Sequence, residues 1–212
     1  SSRPFSRWIT MDSDQSPDVP ATPLARDVPI AVFVSGGGRT LKNLDGAIHR
    51  GDLPARIVLV VASKECPGAE FARERGYTTV VDGHLDDVAT VERLLSDTGA
   101  RWVVLAGYVR LLPIPERWKG RVVNIHPSLL PRHGGQGMDG QRVHEAVLGA
   151  GDAESGCTVH LADGEYDRGE IIAQARCPVY PEDTVQTLAS RVFELETELY
   201  PKALSKLLRE RP

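Results

Sequence analysis

The sequence predicts an α/β protein: a doubly wound, mostly parallel sheet with flanking helices, and antiparallel strands near the C-terminal end. Three observations carry this. Short Val- and Ile-rich runs recur between positions 30 and 125. Segments with helical spacing separate the first four of them. In the last third, two strand-like runs are joined by a polar loop instead of a helix.

The first run, Ile30 to Val34, is apolar at every position and ends in Ser35-Gly36-Gly37-Gly38. A strand buried on both faces reads this way when it enters a tight loop. Similar runs follow at Ile57 to Ala62, Thr78 to Val81, Trp102 to Ala106 and Val122 to Ile125. Between them, Leu41, Leu44, Ala47 and Ile48 fall on one helical face, Ala69 to Arg75 supply a second helix, and Val88, Val91, Leu94 and Leu95 a third. Strands and helices alternating at this pitch imply right-handed crossovers between parallel strands.

Thr158 to Leu161 and Ile171 to Val179 flank the polar stretch from Asp163 to Gly169, and a loop between antiparallel strands is the simplest geometry there. Beyond Pro181, Asp183 is placed to cap a helix, with Gln186 three residues later and an apolar stripe of Val185, Leu188, Val192, Leu195 and Leu199. Pro201 is expected to kink that helix or to begin a new segment carrying Leu204, Leu207 and Leu208. No internal repeat and no second hydrophobic core is evident. Residues 28–212 therefore read as one domain. Residues 1–27, rich in Ser, Pro, Asp and Arg and containing Met11, read as a flexible N-terminal extension, partly vector-derived.

Composition narrows the function classes. A net charge of -4 leaves no overall basic field for a phosphate backbone, which argues against nucleic-acid binding, so an anionic ligand must be held locally. Three cysteines, Cys66, Cys157 and Cys177, are odd in number and form no C-x-x-C, against a disulfide framework or a zinc ribbon. No apolar run approaches the ~20 residues of a membrane span, and no hydrophobic signal core opens the chain. A cytoplasmic protein without a membrane partner is expected.

Three places can carry chemistry. The loop Gly36, Gly37, Gly38, Arg39, Thr40 and Leu41 lies between a strand and a helix expected to start near Leu41, where backbone N–H groups and the helix N-terminus favour an anion such as a phosphate. It is neither a Walker A loop nor the dinucleotide G-x-G-x-x-G, because Leu41 takes the last glycine's place, and a merely tight strand-to-helix turn is the other reading. Asn124 and His126 sit two apart at the end of the fifth strand, so they share a face and can converge on one reacting atom. A hydrogen-bonded structural histidine is the alternative there. Asp167, with Asp163 and Glu165 nearby, is surface carboxylate unless the fold brings it to His126, where it would raise the imidazole's pKa. His133, His144 and His160 have no tight ligand spacing with His126, so no metal is expected.

Together with Val104-Leu105-Ala106-Gly107-Tyr108-Val109-Arg110, Asn124-Ile125-His126-Pro127-Ser128-Leu129-Leu130-Pro131 and Gly156-Cys157-Thr158-Val159-His160, these pieces resemble the glycinamide ribonucleotide formyltransferase family of folate-dependent enzymes. The resemblance runs from about Val28 to about Leu208. It implies the formyltransferase fold, with the glycine loop and the start of its helix holding a substrate phosphate. It implies that Val109, Arg110, Leu111 and Leu112, at a strand end, line the site of 10-formyltetrahydrofolate together with Asn124. It further implies that Asn124, His126 and Asp167 are catalytic: the amide donates to the formyl oxygen, and a protonated His126, oriented by Asp167, stabilises the oxyanion while a bound water helps move the proton. The implied product is formylglycinamide ribonucleotide, made in purine biosynthesis with no metal, and a homodimer is compatible with the family.

Departures from the family pattern are local. Arg168 stands where the first of two glycines usually follows the aspartate, Gly134 to Gly140 is longer and richer in glycine, and no arginine occupies His84 to Asp87. The rival readings are a related folate-dependent formyltransferase on another amine, a formyltetrahydrofolate hydrolase, and a non-catalytic nucleotide-binding module. The chain is expected to lack room for the extra domains of the first two, and retention of all three implied catalytic residues counts against the last.

Overall fold

The computed structural model describes residues 27–212, so the expected N-terminal extension, with Met11, lies outside the described residues apart from Asp27. The described strands are β1 (Val28–Val34), β2 (Ala55–Ala62), β3 (Thr79–Val81), β4 (Trp102–Leu105), β5 (Val122–His126), β6 (Glu154–Leu161) and β7 (Ile171–Pro178). The helices are α1 (Arg39–His49), α2 (Pro67–Glu74), α3 (Val88–Ser96), α4 (Gln141–Ala150) and α5 (Val185–Glu210).

The strands form one sheet in the order β3-β2-β1-β4-β5-β6-β7. Pairings from β3 to β5 are parallel, while β5–β6 and β6–β7 are antiparallel, as the change of pattern in the last third required. All seven residues of β1 are buried because helices cover both of its faces.

The sheet divides the apolar interior in two. Ile30, Val32 and Val34 face one side with Leu41 and Leu44 of α1, Ala69 of α2, Val147 of α4 and the α5 stripe. Ala31 and Phe33 face the other with Val91 and Leu95 of α3 and Trp118 of a single 3-10 turn, Glu116–Trp118. The expectation of no second core is corrected in this sense: a sheet wound on both sides necessarily has two apolar layers.

Two other expectations are corrected. Thr184, not Asp183, caps α5, in a reciprocal box with Thr187. Asp183 instead binds both guanidinium nitrogens of Arg191 at 2.7 and 2.8 Å, which holds its carboxyl well below the usual range. Pro201 does not start a new segment. The helix continues to Glu210 because Leu199, Tyr200, Ala203, Leu204, Leu207 and Leu208 are all buried, offsetting the ~3 kcal/mol that an internal proline costs. Helix α4 was not anticipated; its Val143 and Val147 are one turn apart, and Gly151 ends it in a left-handed conformation.

Strands β4 and β5 pair over only two residues, Val103 and Val104 with Val122 and Val123. Beyond that ladder the buried Tyr200 hydroxyl reaches the Leu105 carbonyl at 2.8 Å and the Val123 carbonyl at 3.1 Å, satisfying strand groups that have drawn apart. The gap opens beside the residues that follow β4 and those that end β5.

Candidate active site

The strand order reverses at β1, whose neighbours are β2 on one side and β4 on the other. Open α/β sheets place ligands in the crevice beyond the carboxyl ends at such a point. The loop after β1 and the loop after β4 form its walls, and a cavity of about 410 Å³ lies there.

Gly36 and Gly37 in the first wall are exposed, and a Cβ added at either would meet nothing within 4 Å. Gly38 adopts φ 72°, and a Cβ there would lie 2.6 Å from Gly68 Cα, so the close approach of α2 to this loop requires glycine. No side chain caps α1, which leaves the N–H groups of its first turn for a ligand. The helix begins at Arg39, two residues before the expected start. Gly36 to Thr40 line the cavity; the Leu41 side chain does not, being fully buried in the core, so only its backbone belongs with this site.

The second wall is a loop and not a strand end, because β4 stops at Leu105 where its ladder with β5 is lost. Val109 and Leu111 are 52% and 43% exposed, large for apolar side chains, whereas Leu112 is buried. Ser35 Oγ accepts from Val109 N–H at 3.2 Å and from Ser63 Oγ at 2.8 Å, tying the two walls together. The guanidinium of Arg110 pairs with Asp86 at 2.7 Å and donates to the Gly83 carbonyl, so it serves the region after β3 where the sequence has no arginine of its own.

Between the walls, β5 presents Asn124 and His126 on the face opposite Val123 and Ile125, as period two requires. Asp167 comes to them from the loop between β6 and β7. Its Oδ2 lies 3.4 Å from His126 Nδ1 and accepts from Gly135 N–H at 2.9 Å. Gly134 permits this approach: a Cβ there would sit 3.2 Å from Asp167 Cβ and 2.5 Å from Leu130 Cδ2. The glycine-rich stretch thus holds the carboxylate, and Gly135 and Gly137 to Gly140 also border the cavity.

Burial pushes the Asp167 carboxyl up, but the His160 hydrogen bond, His126 and Gly135 N–H together hold it below the ordinary range, as a carboxylate. His126 departs from expectation. Burial drives its pKa below the usual value of 6.5, and Asp167 and the His133 carbonyl pull upward without prevailing. The expected rise is therefore corrected to a fall, because desolvation of a 4% exposed imidazole outweighs one carboxylate at 3.4 Å. His126 Nε2 donates to the His133 carbonyl at 2.8 Å, leaving Nδ1 towards Asp167.

Two further groups went unassigned in the sequence. His160 on β6 is opposite Asn124 in register. Its Nδ1 lies 3.0 Å from the Leu161 carbonyl, and its Nε2 lies 3.3 Å from Asn124 Nδ2 and 3.4 Å from Asp167 Oδ1, so at most one Nδ2 hydrogen is engaged by the ring and another is left for a ligand. Glu196 of α5 lines the cavity wall; desolvation pushes its pKa up to about 7, with Arg39 pulling the other way. The Arg39 guanidinium stacks on Phe193 at 3.9 Å. Alternation on the strand-like run 158–161 and the i, i+3 step from Phe193 to Glu196 were visible, but their partners were not.

The sequence matches the formyl transferase family over residues 28–204. The chain belongs to the formyl transferase family. It is 36% identical to the chloroplastic phosphoribosylglycinamide formyltransferase of Vigna unguiculata over 95% of this chain and about two thirds, 68%, of that protein. It is 34% identical to the phosphoribosylglycinamide formyltransferase of Haemophilus influenzae over 81% of this chain and 83% of that one. Among solved structures, glycinamide ribonucleotide transformylase 1 from Symbiobacterium toebii superposes with a TM-score of 0.79 at 32% identity, covering 88% of this chain and 90% of that one. The formyltransferase fold is therefore the fold of this chain, with the walls and side chains described above as its candidate site.

Among the described residues of this formyl transferase, no group of three His, Cys, Asp or Glu side chains is arranged to hold a metal ion. No described helix is long and apolar enough to cross a membrane. Cys66, Cys157 and Cys177 are free and buried, and burial pushes the Cys177 thiol up to about 11, which makes it a poor nucleophile.

Proposed function

We propose that this formyl transferase moves the formyl group of 10-formyltetrahydrofolate to the amine of glycinamide ribonucleotide, giving formylglycinamide ribonucleotide and tetrahydrofolate in purine (IMP) biosynthesis. The observation that carries it is the meeting of Asn124, His126 and Asp167 in one cavity, between an uncapped helix start and an apolar loop. The names of the relatives support the same substrate. Residues 28–212 act as one catalytic domain, and three free cysteines suit the reducing cytoplasm.

The ribonucleotide phosphate binds the N–H groups of Gly36 to Leu41, where the α1 dipole adds favourable charge. The folate's flat ring suits the second wall, where Val109, Leu112 and Ile114 offer apolar surface beside the backbone groups of Arg110 and Leu111. The neutral amine attacks the formyl carbon. A C–N bond forms, and the carbonyl π electrons move to oxygen. Asn124 donates its free Nδ2–H to that oxyanion. His126 starts neutral because it is buried; as negative charge develops on oxygen it takes up, through bound water, the proton lost by the attacking amine, with Asp167 balancing the imidazolium until collapse. Collapse breaks the bond to N10 of the folate, and the proton lost by the amine is delivered to that nitrogen. Each preorganised donor is worth about 3 kcal/mol of barrier.

The test incubates the protein with 10-formyltetrahydrofolate, with and without glycinamide ribonucleotide, and follows tetrahydrofolate and formylated product. Formylated ribonucleotide formed only when both are present is the expected result. Tetrahydrofolate release without the ribonucleotide would identify a hydrolase, and absence of turnover would reject the substrate pair.

A further inference from the structure

Only two non-glycine residues in the described chain have positive φ, His133 at 54° and Asp167 at 56°. Both contact His126, from opposite ends of its ring: Asp167 at Nδ1 and the His133 carbonyl at Nε2. A residue with a Cβ stays in the left-handed region only when its surroundings hold it there, and such residues gather at functional sites.

Asp167 is held by the Gly135 N–H and by its contact with His126. For His133 the restraint comes from outside the cavity. Its Nε2 donates to Asp152 Oδ2 at 2.7 Å, with side-chain exposures of 18% and 16%. Asp152 is itself fixed: it follows Gly151 at the end of α4, and its N–H donates to the Val147 carbonyl at 3.3 Å. The preceding carbonyl, of Arg132, accepts from Ser128 Oγ at 2.7 Å, so the turn is pinned on the strand side as well. Arg132 also approaches Asp152, at 3.4 Å, but its side chain is 57% exposed and that pair restrains little.

We propose that Asp152 is a positioning residue: by gripping His133 it keeps that residue's backbone left-handed, which aims its carbonyl at His126 Nε2 and selects the tautomer and ring orientation of His126. With Nε2–H committed to that carbonyl, Nδ1 is the nitrogen that gains the proton, facing Asp167. The left-handed backbone of His133 and the register of Asp152 together convert a surface contact into control of a buried ring. The kinetic consequence rests on the proposed formyl transfer, whereas the tautomer of His126 does not.

The experiment therefore reads both. Ring ¹⁵N shifts of His126 are measured in the ligand-free full chain, and kcat and KM with both substrates, for the parent, Asp152→Ala and Asp152→Asn. Asp152→Ala is expected to lose the pure Nε2–H tautomer and to drop kcat about 10-fold or more, as outer-shell partners typically do, with both KM values within about twofold. Asp152→Asn keeps an acceptor oxygen for His133 and should stay within about threefold of the parent on every measure. A parent-like His126 tautomer in Asp152→Ala would overturn the inference. If the parent fails to transfer formyl groups, the proposed function falls while the tautomer still decides this point. Should Asp152→Ala not fold, His133→Ala removes the same grip from the other side, and an unchanged tautomer there overturns the inference equally.

Discussion

Replacing Asp167 by Asn removes one charge and little volume, and so isolates what that charge does for His126. The separation is 3.4 Å between side chains 8% and 5% exposed. At an effective dielectric of about 20, attraction between a carboxylate and an imidazolium at that distance is about 5 kcal/mol, an upper bound because the site relaxes and solvent enters. In the free protein little of this is realised, since burial keeps His126 largely neutral. It is realised as the oxyanion forms and the ring gains its proton. The expected loss is therefore in kcat, about 10²–10³-fold or 3–4 kcal/mol, with KM nearly unchanged. Asp167 is a cause that raises the His126 pKa, so its loss moves that pKa further below 6.5. The step begins from the neutral ring, so the acid limb of the kcat profile then shifts to lower pH. Steady-state rates across pH, with an NMR titration of His126, measure both. A kcat within about threefold of the parent together with an unmoved His126 titration would refute the coupling.

Three other perturbations separate the parts of the site. Gly38→Ala forces a Cβ into a left-handed position, about 1–2 kcal/mol, and against Gly68 Cα at 2.6 Å, so its Tm should fall while Gly36→Ala, with open space around it, keeps the parent's. Equal thermal unfolding of the two would remove the close-packing account. Tyr200→Phe leaves the Leu105 and Val123 carbonyls without their shared donor and should cost about 1–3 kcal/mol in denaturant unfolding; no change would mean the splayed strands satisfy themselves. The Glu196 pKa is raised from 4.5 to about 7, so the folded state binds the extra proton in that window and stability falls as pH rises through it. Glu196→Gln lacks this loss, and its Tm advantage over the parent should grow between pH 5 and pH 8; a constant difference would contradict the raised pKa.

Much of the fold is legible because its signals are local. A strand buried on both faces must be apolar throughout, as Ile30 to Val34 is, and a helix covering one face must repeat its apolar residues every three or four positions, as Leu41, Leu44 and Ala47 do. Element ends are less legible. Whether β4 ends at Leu105 or Ala106 depends on a neighbour strand that stops pairing, and whether Pro201 breaks α5 depends on how much apolar surface is buried beyond it.

The glycine loop, the Asn124–His126 pair and the family likeness were determined by the sequence alone, since each is a short run whose chemistry is carried by its own residues. Tertiary structure alone decided the rest. It brought Asp167 across 41 positions to His126, set His160 behind Asn124, put Glu196 on the cavity wall, and fixed the sign of the His126 shift. Desolvation depends on everything packed around a group, and Coulomb attraction on a distance through space. Neither quantity is written in the order of residues along a chain.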